Sequence, residues 1–174
     1  ESGGSAGRSG GTETGGAAPG ERIVMRKVLI VDDDVAVTNY FMVFLVQTDL
    51  FEPTVVNDSR EVEGILARET FDVVMLDMDM PNVSGMDILR SMRARGDTTP
   101  VLVLTGVSDV DLAVRAMKLG AFDYVMKPID IPDLLVKIEE AYGKKKAHDE
   151  KIRAAKVSEI ISHPMAVFSD NPED

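Results

Sequence analysis

Short apolar runs alternate with longer amphipathic stretches along the chain from Lys27 onward. This alternation is typical of repeated βα units around a parallel sheet. The first, third and fourth apolar runs are almost wholly aliphatic, as expected for strands that are covered on both faces. The pattern predicts strands at Lys27–Val31, Pro53–Val56, Asp72–Leu76, Val101–Leu104 and Phe122–Met126.

Helices are predicted after each strand, at Val35–Gln47, Arg60–Arg68, Met86–Arg95, Val110–Leu119 and Leu134–Tyr142. Asp34, Asp58 and Ser84 stand where side-chain oxygens cap helix N-termini. Gly120 and Gly143 stand where left-handed residues end the fourth and fifth helices. Right-handed crossovers then favour an open sheet. The sequence therefore predicts an α/β fold with a doubly wound five-stranded parallel sheet, flavodoxin-like order 2-1-3-4-5, and helices on both faces.

The two ends of the chain differ in composition from the βα region. Residues 1–22 hold eight of the 14 glycines and no apolar stretch, which predicts a disordered Gly/Ser-rich leader. Residues 25–143 form the predicted domain. Residues 144–156 carry six basic and two acidic side chains. In the last 18 residues, all the charged side chains are acidic. We expect 144–174 to be a basic helical extension and an acidic tail without an output domain, because the segment is too short for a second core.

Charge and residue usage exclude several classes of function. The chain has 19 Lys plus Arg and 30 Asp plus Glu, a formal net charge of −11. That charge disfavours direct binding to nucleic acid or to an anionic membrane, and no apolar run is long enough to cross one. The absence of cysteine and the presence of only two histidines leave oxygen ligands as the basis of any metal site.

Polar residues follow four of the five predicted strands, at the edge where parallel sheets place their sites. Neighbouring carboxylates repel unless they share a proton or bind a cation, and an oxygen-only set suits Mg²⁺. Lys127 then attracts a phosphate, Thr105 donates to it, and Asp77 is a candidate nucleophile. Each residue alone is more often a cap or a surface charge, so the prediction depends on their joint placement. The set is Asp32, Asp33, Asp34, Asp77, Asp79, Thr105, Gly106, Lys127 and Pro128.

Four segments resemble the receiver domain of bacterial two-component response regulators, the CheY-like family. They are LIVDDD (29–34), DVVMLDMDMPNVSGMDIL (72–89), VLVLTG (101–106) and GAFDYVMKP (120–128). Their order and spacing are far more specific than any one motif. The resemblance covers roughly residues 27–142. It implies a cytoplasmic phosphorelay protein that takes a phosphoryl group from a sensor histidine kinase or phosphotransfer protein and signals to a downstream protein target.

The resemblance implies a role for each residue that matches the motifs. Asp77 is the implied phosphoacceptor, with self-phosphorylation and autodephosphorylation activity. Asp32 and Asp33, together with Asp77 and the backbone carbonyl of Asp79, are the implied Mg²⁺ ligands. Lys127 is implied to pair with the phosphoryl group.

The resemblance also implies a conformational switch. Thr105 and Tyr124 are the implied switch residues, Gly106 follows the threonine, and the bond from Lys127 to Pro128 is expected to be cis. Phosphorylation would then change the surface of the fourth helix, fifth strand and fifth helix. A homodimer through that face is one arrangement that the resemblance suggests.

Other interpretations stay open at this point. Asp77, Thr105 and Lys127 also resemble the motifs of haloacid dehalogenase-type phosphatases, although Pro81 stands where that family has Thr or Val. A receiver-shaped module that takes no phosphate is a third interpretation, which the retained acids and lysine disfavour. No helix-turn-helix pattern follows the fifth helix, so we expect a single-domain regulator or a receiver cut from a longer protein.

Overall fold

The computed structural model of the chain describes residues 24–106 and 109–162. The predicted leader and residues 163–174 of the predicted tail lie outside the described residues. A 3₁₀ turn, Ser59–Glu61, precedes the second helix. The strands and α-helices of the described chain are β1 (Arg26–Val31), α1 (Val35–Gln47), β2 (Phe51–Val56), α2 (Val62–Arg68), β3 (Val73–Asp77), α3 (Gly85–Ala94), β4 (Val101–Thr105), α4 (Val110–Lys118), β5 (Asp123–Met126) and α5 (Ile131–Ser162).

The five strands form one parallel sheet in the order β2-β1-β3-β4-β5. This confirms the predicted fold. Every residue of β3 and β4 is buried, as their continuous aliphatic sequences indicate. β2 lies at an edge of the sheet, the position where a strand tolerates a residue such as Pro53. This order brings the carboxyl ends of β1, β3, β4 and β5 to one edge of the domain.

Helices cover both faces of the sheet, and alternate strand residues contribute to two separate cores. Leu29 of β1 belongs to the core beneath α2, α3 and α4, where Ile88 is buried. Ile30 belongs to the core beneath α1 and α5, which buries Phe41 and Ile138. This period of two is what a strand covered on both faces requires. The described helices do not combine the length and hydropathy that a membrane span needs.

Three predicted cap residues lie where the sequence places them. The Asp34 carboxylate accepts two backbone N–H bonds at the start of α1. Ser84 accepts the N–H of Asp87 and donates its hydroxyl to the Asp87 carboxylate at 2.8 Å. Asp58 caps the 3₁₀ turn before α2. Gly120 ends α4 with a φ of 101°, a left-handed conformation that glycine adopts without strain.

The prediction that Gly143 ends the fifth helix is wrong, because α5 continues through it to Ser162. A glycine inside a helix costs about 1 kcal/mol relative to alanine, which neighbouring contacts can offset. Lys145 donates its ammonium to the carbonyl of Phe71 at 2.6 Å, and Lys144 lies 5.3 Å from the centre of the Phe122 ring. The basic stretch 144–156 is therefore helical, and its first turn still contacts the domain.

Candidate functional site

Three carboxylates meet at the carboxyl edge of the sheet. Asp32 directly follows β1 and Asp77 is the last residue of β3, and both are almost fully buried, at 1% and 5% exposure. Asp33, the next residue along, is exposed. One carboxylate oxygen from each residue lies within 4.8 Å of the others. The sheet order thus concentrates negative charge at a point that is only partly open to water.

Lys127 brings a cation to two of these carboxylates. Its ammonium lies 2.9 Å from an oxygen of Asp32 and 3.3 Å from an oxygen of Asp77. It directly follows β5 and precedes a cis bond to Pro128, the isomer that the resemblance implies. Three carboxylates and one ammonium leave a formal charge of −2. The site therefore retains unbalanced negative charge, which favours a further cation.

The acid-base properties of the site follow from burial and from close charges. Burial raises the pKa of Asp77 to about 6, and the negative charge of Asp32 raises it too. The charge and hydrogen bond of Lys127, together with the backbone N–H of Asp79, oppose that rise. Burial alone lowers the pKa of Lys127, but its hydrogen bond to Asp32 and the two negative charges raise the net value. Lys127 therefore stays charged at neutral pH.

Contacts that the sequence did not predict hold the backbone of Asp32 in place. Asn57, which follows β2, donates one amide N–H to the backbone carbonyl of Asp32 at 2.8 Å and another to the hydroxyl of Thr38 at 2.9 Å. Thr38 is fully buried in α1, and its hydroxyl donates to the carbonyl of Val35. Asn57 thereby links the end of β2, the residue after β1 and the first turn of α1. Its place at a strand end was the available signal.

The loop from β3 to α3 is held close to Asp77. A side-chain carbon at Gly85 would lie 2.2 Å from the Asp77 carbonyl oxygen, so only glycine fits at this point. Ser59, buried in the turn before α2, donates its hydroxyl to the carbonyl of Pro81 and accepts the N–H of Val83. These contacts hold the loop from both sides, which orients the end of β3.

Two other acids that follow these strands add no carboxylate to the group of three. The side chain of Asp34 caps α1 and does not belong to the group of three carboxylates. The side chain of Asp79 is exposed, although its backbone N–H bonds to Asp77. Consecutive residues after a strand point in different directions. Asp34 and Asp79 therefore follow the same strands as the three converging acids, but their carboxylates do not join that group.

Thr105 and Tyr124 lie on neighbouring strands beneath α4. Thr105 ends β4 with 3% exposure, and its hydroxyl donates to the carbonyl of Gly106 at 3.3 Å. The side chain of Tyr124 is 42% exposed. Both residues line a cavity of about 240 Å³, with Ala113 and Met117 of α4 on its opposite wall. This space connects the buried end of β4 with the surface near α4.

Residues 28–139 match the response regulator receiver domain, which is more than half of the chain. The chain belongs to this family. It is 36% identical over 114 residues to the transcriptional regulatory protein FixJ of Bradyrhizobium diazoefficiens, covering 66% of the chain and 55% of that protein. It is 36% identical over 118 residues to the regulatory protein AtoC of Escherichia coli, covering 67% of the chain and 25% of that protein.

A solved receiver structure supports the same assignment. The receiver domain protein from Clostridium thermocellum is 37% identical, with a TM-score of 0.65, and the match covers 71% of this chain and 98% of that one. The family match favours the receiver over the phosphatase interpretation. FixJ and AtoC are longer than the chain, which spans about half and about a quarter of them, so they give no support to a single-domain regulator.

Proposed function

We propose that this receiver domain accepts a phosphoryl group on Asp77 from the phosphohistidine of a sensor histidine kinase or a phosphotransfer protein. The arrangement of Asp77 beside Lys127, at the centre of three converging carboxylates, is the observation that carries the proposal. A carboxylate is a competent nucleophile when it is ionised and held in place. The pKa of about 6 leaves Asp77 mostly ionised at neutral pH.

In the proposed transfer, the phosphoryl group passes directly from the donor nitrogen to Asp77. One carboxylate oxygen of Asp77 forms a bond to phosphorus as the bond from phosphorus to the donor nitrogen breaks, and the electron pair of that bond stays on the donor imidazole. Lys127, now 3.3 Å from Asp77, would move its ammonium onto a phosphoryl oxygen as negative charge enters the site. The hydroxyl of Thr105 is the proposed second donor to that group.

Mg²⁺ is the proposed cofactor, because the donors that converge are carboxylate oxygens without imidazole or thiolate. Asp32, Asp33 and Asp77 would hold it, with the backbone carbonyl of Asp79 as a fourth ligand. When bound, the ion supplies positive charge that offsets the charge of the phosphoryl oxygens. The −2 charge of the group supports this assignment.

We propose that the phosphorylated state reaches other proteins through the surface of α4, β5 and α5. Thr105 and Tyr124 are the proposed switch residues, because they line one cavity and because its space allows the half-exposed Tyr124 ring to turn inward. The proposed recipient is a downstream protein target, or a second copy that docks on this face. The acidic charge of the chain favours a protein partner over direct nucleic-acid contact.

Incubation with acetyl phosphate and Mg²⁺, followed by intact mass measurement, tests the proposal. We expect the wild type to gain one phosphoryl group of about 80 Da. Asp77→Asn should gain none, and a chelator should prevent the gain in the wild type. Asp149→Asn, which changes an exposed acid on α5, is the matched control and should be labelled like the wild type.

Two other results would contradict the proposal. A wild type that gains no mass with a fresh donor would indicate a receiver-shaped module that takes no phosphate. Multiple-turnover hydrolysis of a phosphomonoester, lost in Asp77→Asn, would indicate the phosphatase interpretation instead.

A further inference from the structure

Lys137 on α5 lies beside Tyr124, the half-exposed aromatic residue of β5. Its ammonium is 5.9 Å from the centre of the Tyr124 ring, within the range in which a cation attracts the face of an aromatic ring. Tyr124 is 42% exposed and borders the cavity beneath α4 without filling it, which we call its outward position. The ammonium of Lys137 is therefore close to the ring when the ring is outward.

Asp123 connects this ammonium to the backbone of Tyr124. One carboxylate oxygen of Asp123 accepts the backbone N–H of Tyr124 at 2.8 Å. The other oxygen accepts a hydrogen bond from the ammonium of Lys137. We call this pair the Asp123–Lys137 bridge. It joins β5 to α5 at the residue that carries the proposed switch.

The Asp123–Lys137 bridge is better shielded from water than an ordinary surface ion pair. The side chains of Lys137 and Asp123 are 21% and 28% exposed, whereas those of Arg90 and Asp87 are 59% and 60% exposed. Exposed pairs contribute little, because water and salt screen them. The hydrogen bond to Asp123 raises the pKa of Lys137, so the ammonium stays charged at neutral pH. Asp123 therefore holds a charged group in one place near the ring.

The position of β5 in the sheet decides which way the ring moves relative to this charge. β5 is an edge strand, and Val125 packs with Ile138 in the core beneath α1 and α5. Tyr124, the preceding residue, points to the opposite face, beneath α4. Lys137 reaches it from α5 around the open edge of the sheet, whereas Thr105 lies on β4, inside that edge. A ring that turns inward toward Thr105 therefore moves away from the ammonium.

We propose that Lys137 is a positioning residue that holds the Tyr124 ring outward in the unphosphorylated protein, with Asp123 as its anchor. The inference rests on the proposed role of Tyr124 as a switch residue. The attraction between ammonium and ring favours the outward position and is lost in the inward one. The Asp123–Lys137 bridge thus sets how many molecules have the ring inward before a phosphoryl group arrives, and so how far phosphorylation has to shift that population.

Fluorine NMR of the full chain labelled with 3-fluorotyrosine tests the inference. The chain has three tyrosines, and Tyr124→Phe assigns the resonance of Tyr124. Relaxation dispersion without a phosphoryl donor measures the ratio of inward to outward rings. Lys137→Met should raise this ratio about twofold to fivefold, the range expected for an exposed cation and ring. Lys137→Arg keeps the charge and should leave the ratio near that of the wild type.

A cavity-filling variant identifies the inward position. Met117→Trp adds bulk to the wall of the cavity beneath α4, so it should suppress the minor position of the Tyr124 ring. A minor position that persists in Met117→Trp would overturn the inference, because the ring would then be moving somewhere other than into the cavity.

Two further variants separate the Asp123–Lys137 bridge from a general effect of charge on α5. Lys144→Met is the matched control, because Lys144 lies 5.3 Å from the centre of a different ring, that of Phe122, and its loss should leave the Tyr124 ratio unchanged. Asp123→Asn keeps an oxygen for the backbone N–H but removes the charge that anchors Lys137. It should raise the ratio as Lys137→Met does, and the double variant should raise it no further.

An unchanged ratio in Lys137→Met, an equal rise in Lys144→Met, or a single ring position in every variant would overturn the inference. Labelling of Asp77 is measured separately by intact mass. A chain that takes no phosphoryl group but shows the expected rise in Lys137→Met would contradict the proposed phosphorylation and leave the role of Lys137 in place. Normal labelling with an unchanged ratio would overturn the role of Lys137 alone.

Discussion

Replacing Lys127 by methionine is expected to lower the free energy of unfolding by about 3 kcal/mol at pH 7.5 in the absence of divalent metal. The change keeps the length of the side chain and removes the only ammonium within 4 Å of Asp32 and Asp77 in the described chain. Two nearly buried carboxylates then face each other without a cation. Urea denaturation at 25 °C measures the loss.

Two features distinguish this effect from a general loss of packing. The destabilisation should shrink below about pH 6, because Asp77, already raised to that pKa, then takes up a proton. Added Mg²⁺ should also restore part of the stability. Lys118→Met, at an exposed position of α4, is the control and should change stability by less than about 0.5 kcal/mol. Equal losses in the two variants would show that the ammonium of Lys127 does not stabilise the two buried carboxylates.

Replacing Asp77 by asparagine is expected to change stability in the opposite direction, with a gain of about 1 to 3 kcal/mol at pH 7.5 without metal. The folded-state pKa of about 6 lies above the ordinary value of 3.8. The folded state therefore binds this proton more tightly than the unfolded state does, so the stability of the wild type falls as pH rises from about 4 to 6. An amide of similar size avoids the cost of that ionisation, while a weaker contact with Lys127 offsets part of the gain.

The gain in stability of Asp77→Asn is expected to depend on pH. The stability difference between wild type and Asp77→Asn should be near zero at pH 4, should develop up to about pH 6, and should stay constant above it. Urea midpoints between pH 4 and pH 8 measure it. A difference that does not vary with pH, or an asparagine variant that is less stable at pH 7.5, would show that burial does not raise the pKa of this carboxyl in the folded protein.

Much of the fold was predictable because the strands are short and bounded by polar residues, and because β1, β3 and β4 are largely aliphatic. The sequences of β3 and β4 contain almost only residues that suit a strand buried on both faces, and the structure buries all of them. The chain order of the βα units then limited the topology to few arrangements. The proximity of Asp32, Asp77 and Lys127 followed from the same order, since the carboxyl ends of parallel strands share one edge.

Other features depend on contacts that a single sequence does not display. Gly143 has the residue type of a helix end, yet Lys144 and Lys145 contact Phe122 and Phe71 and the helix continues. The need for glycine at position 85 arises from a carbonyl of another element. The raised pKa of Asp77 depends on burial, which the motif alone does not reveal. The local sequence pattern therefore indicated the strands and helices. The length of α5, the need for glycine at position 85 and the raised pKa of Asp77 come from tertiary packing.

The proposed function requires that Asp77, and none of its acidic neighbours, receives the phosphoryl group. Treatment of the phosphorylated chain with borohydride reduces an aspartyl phosphate to homoserine, and peptide mass spectrometry then locates the modified position. We expect homoserine at Asp77 alone, dependent on both acetyl phosphate and Mg²⁺. Homoserine at Asp32, Asp33 or Asp79, or at no position in a chain exposed to the donor, would contradict the proposed role of Asp77.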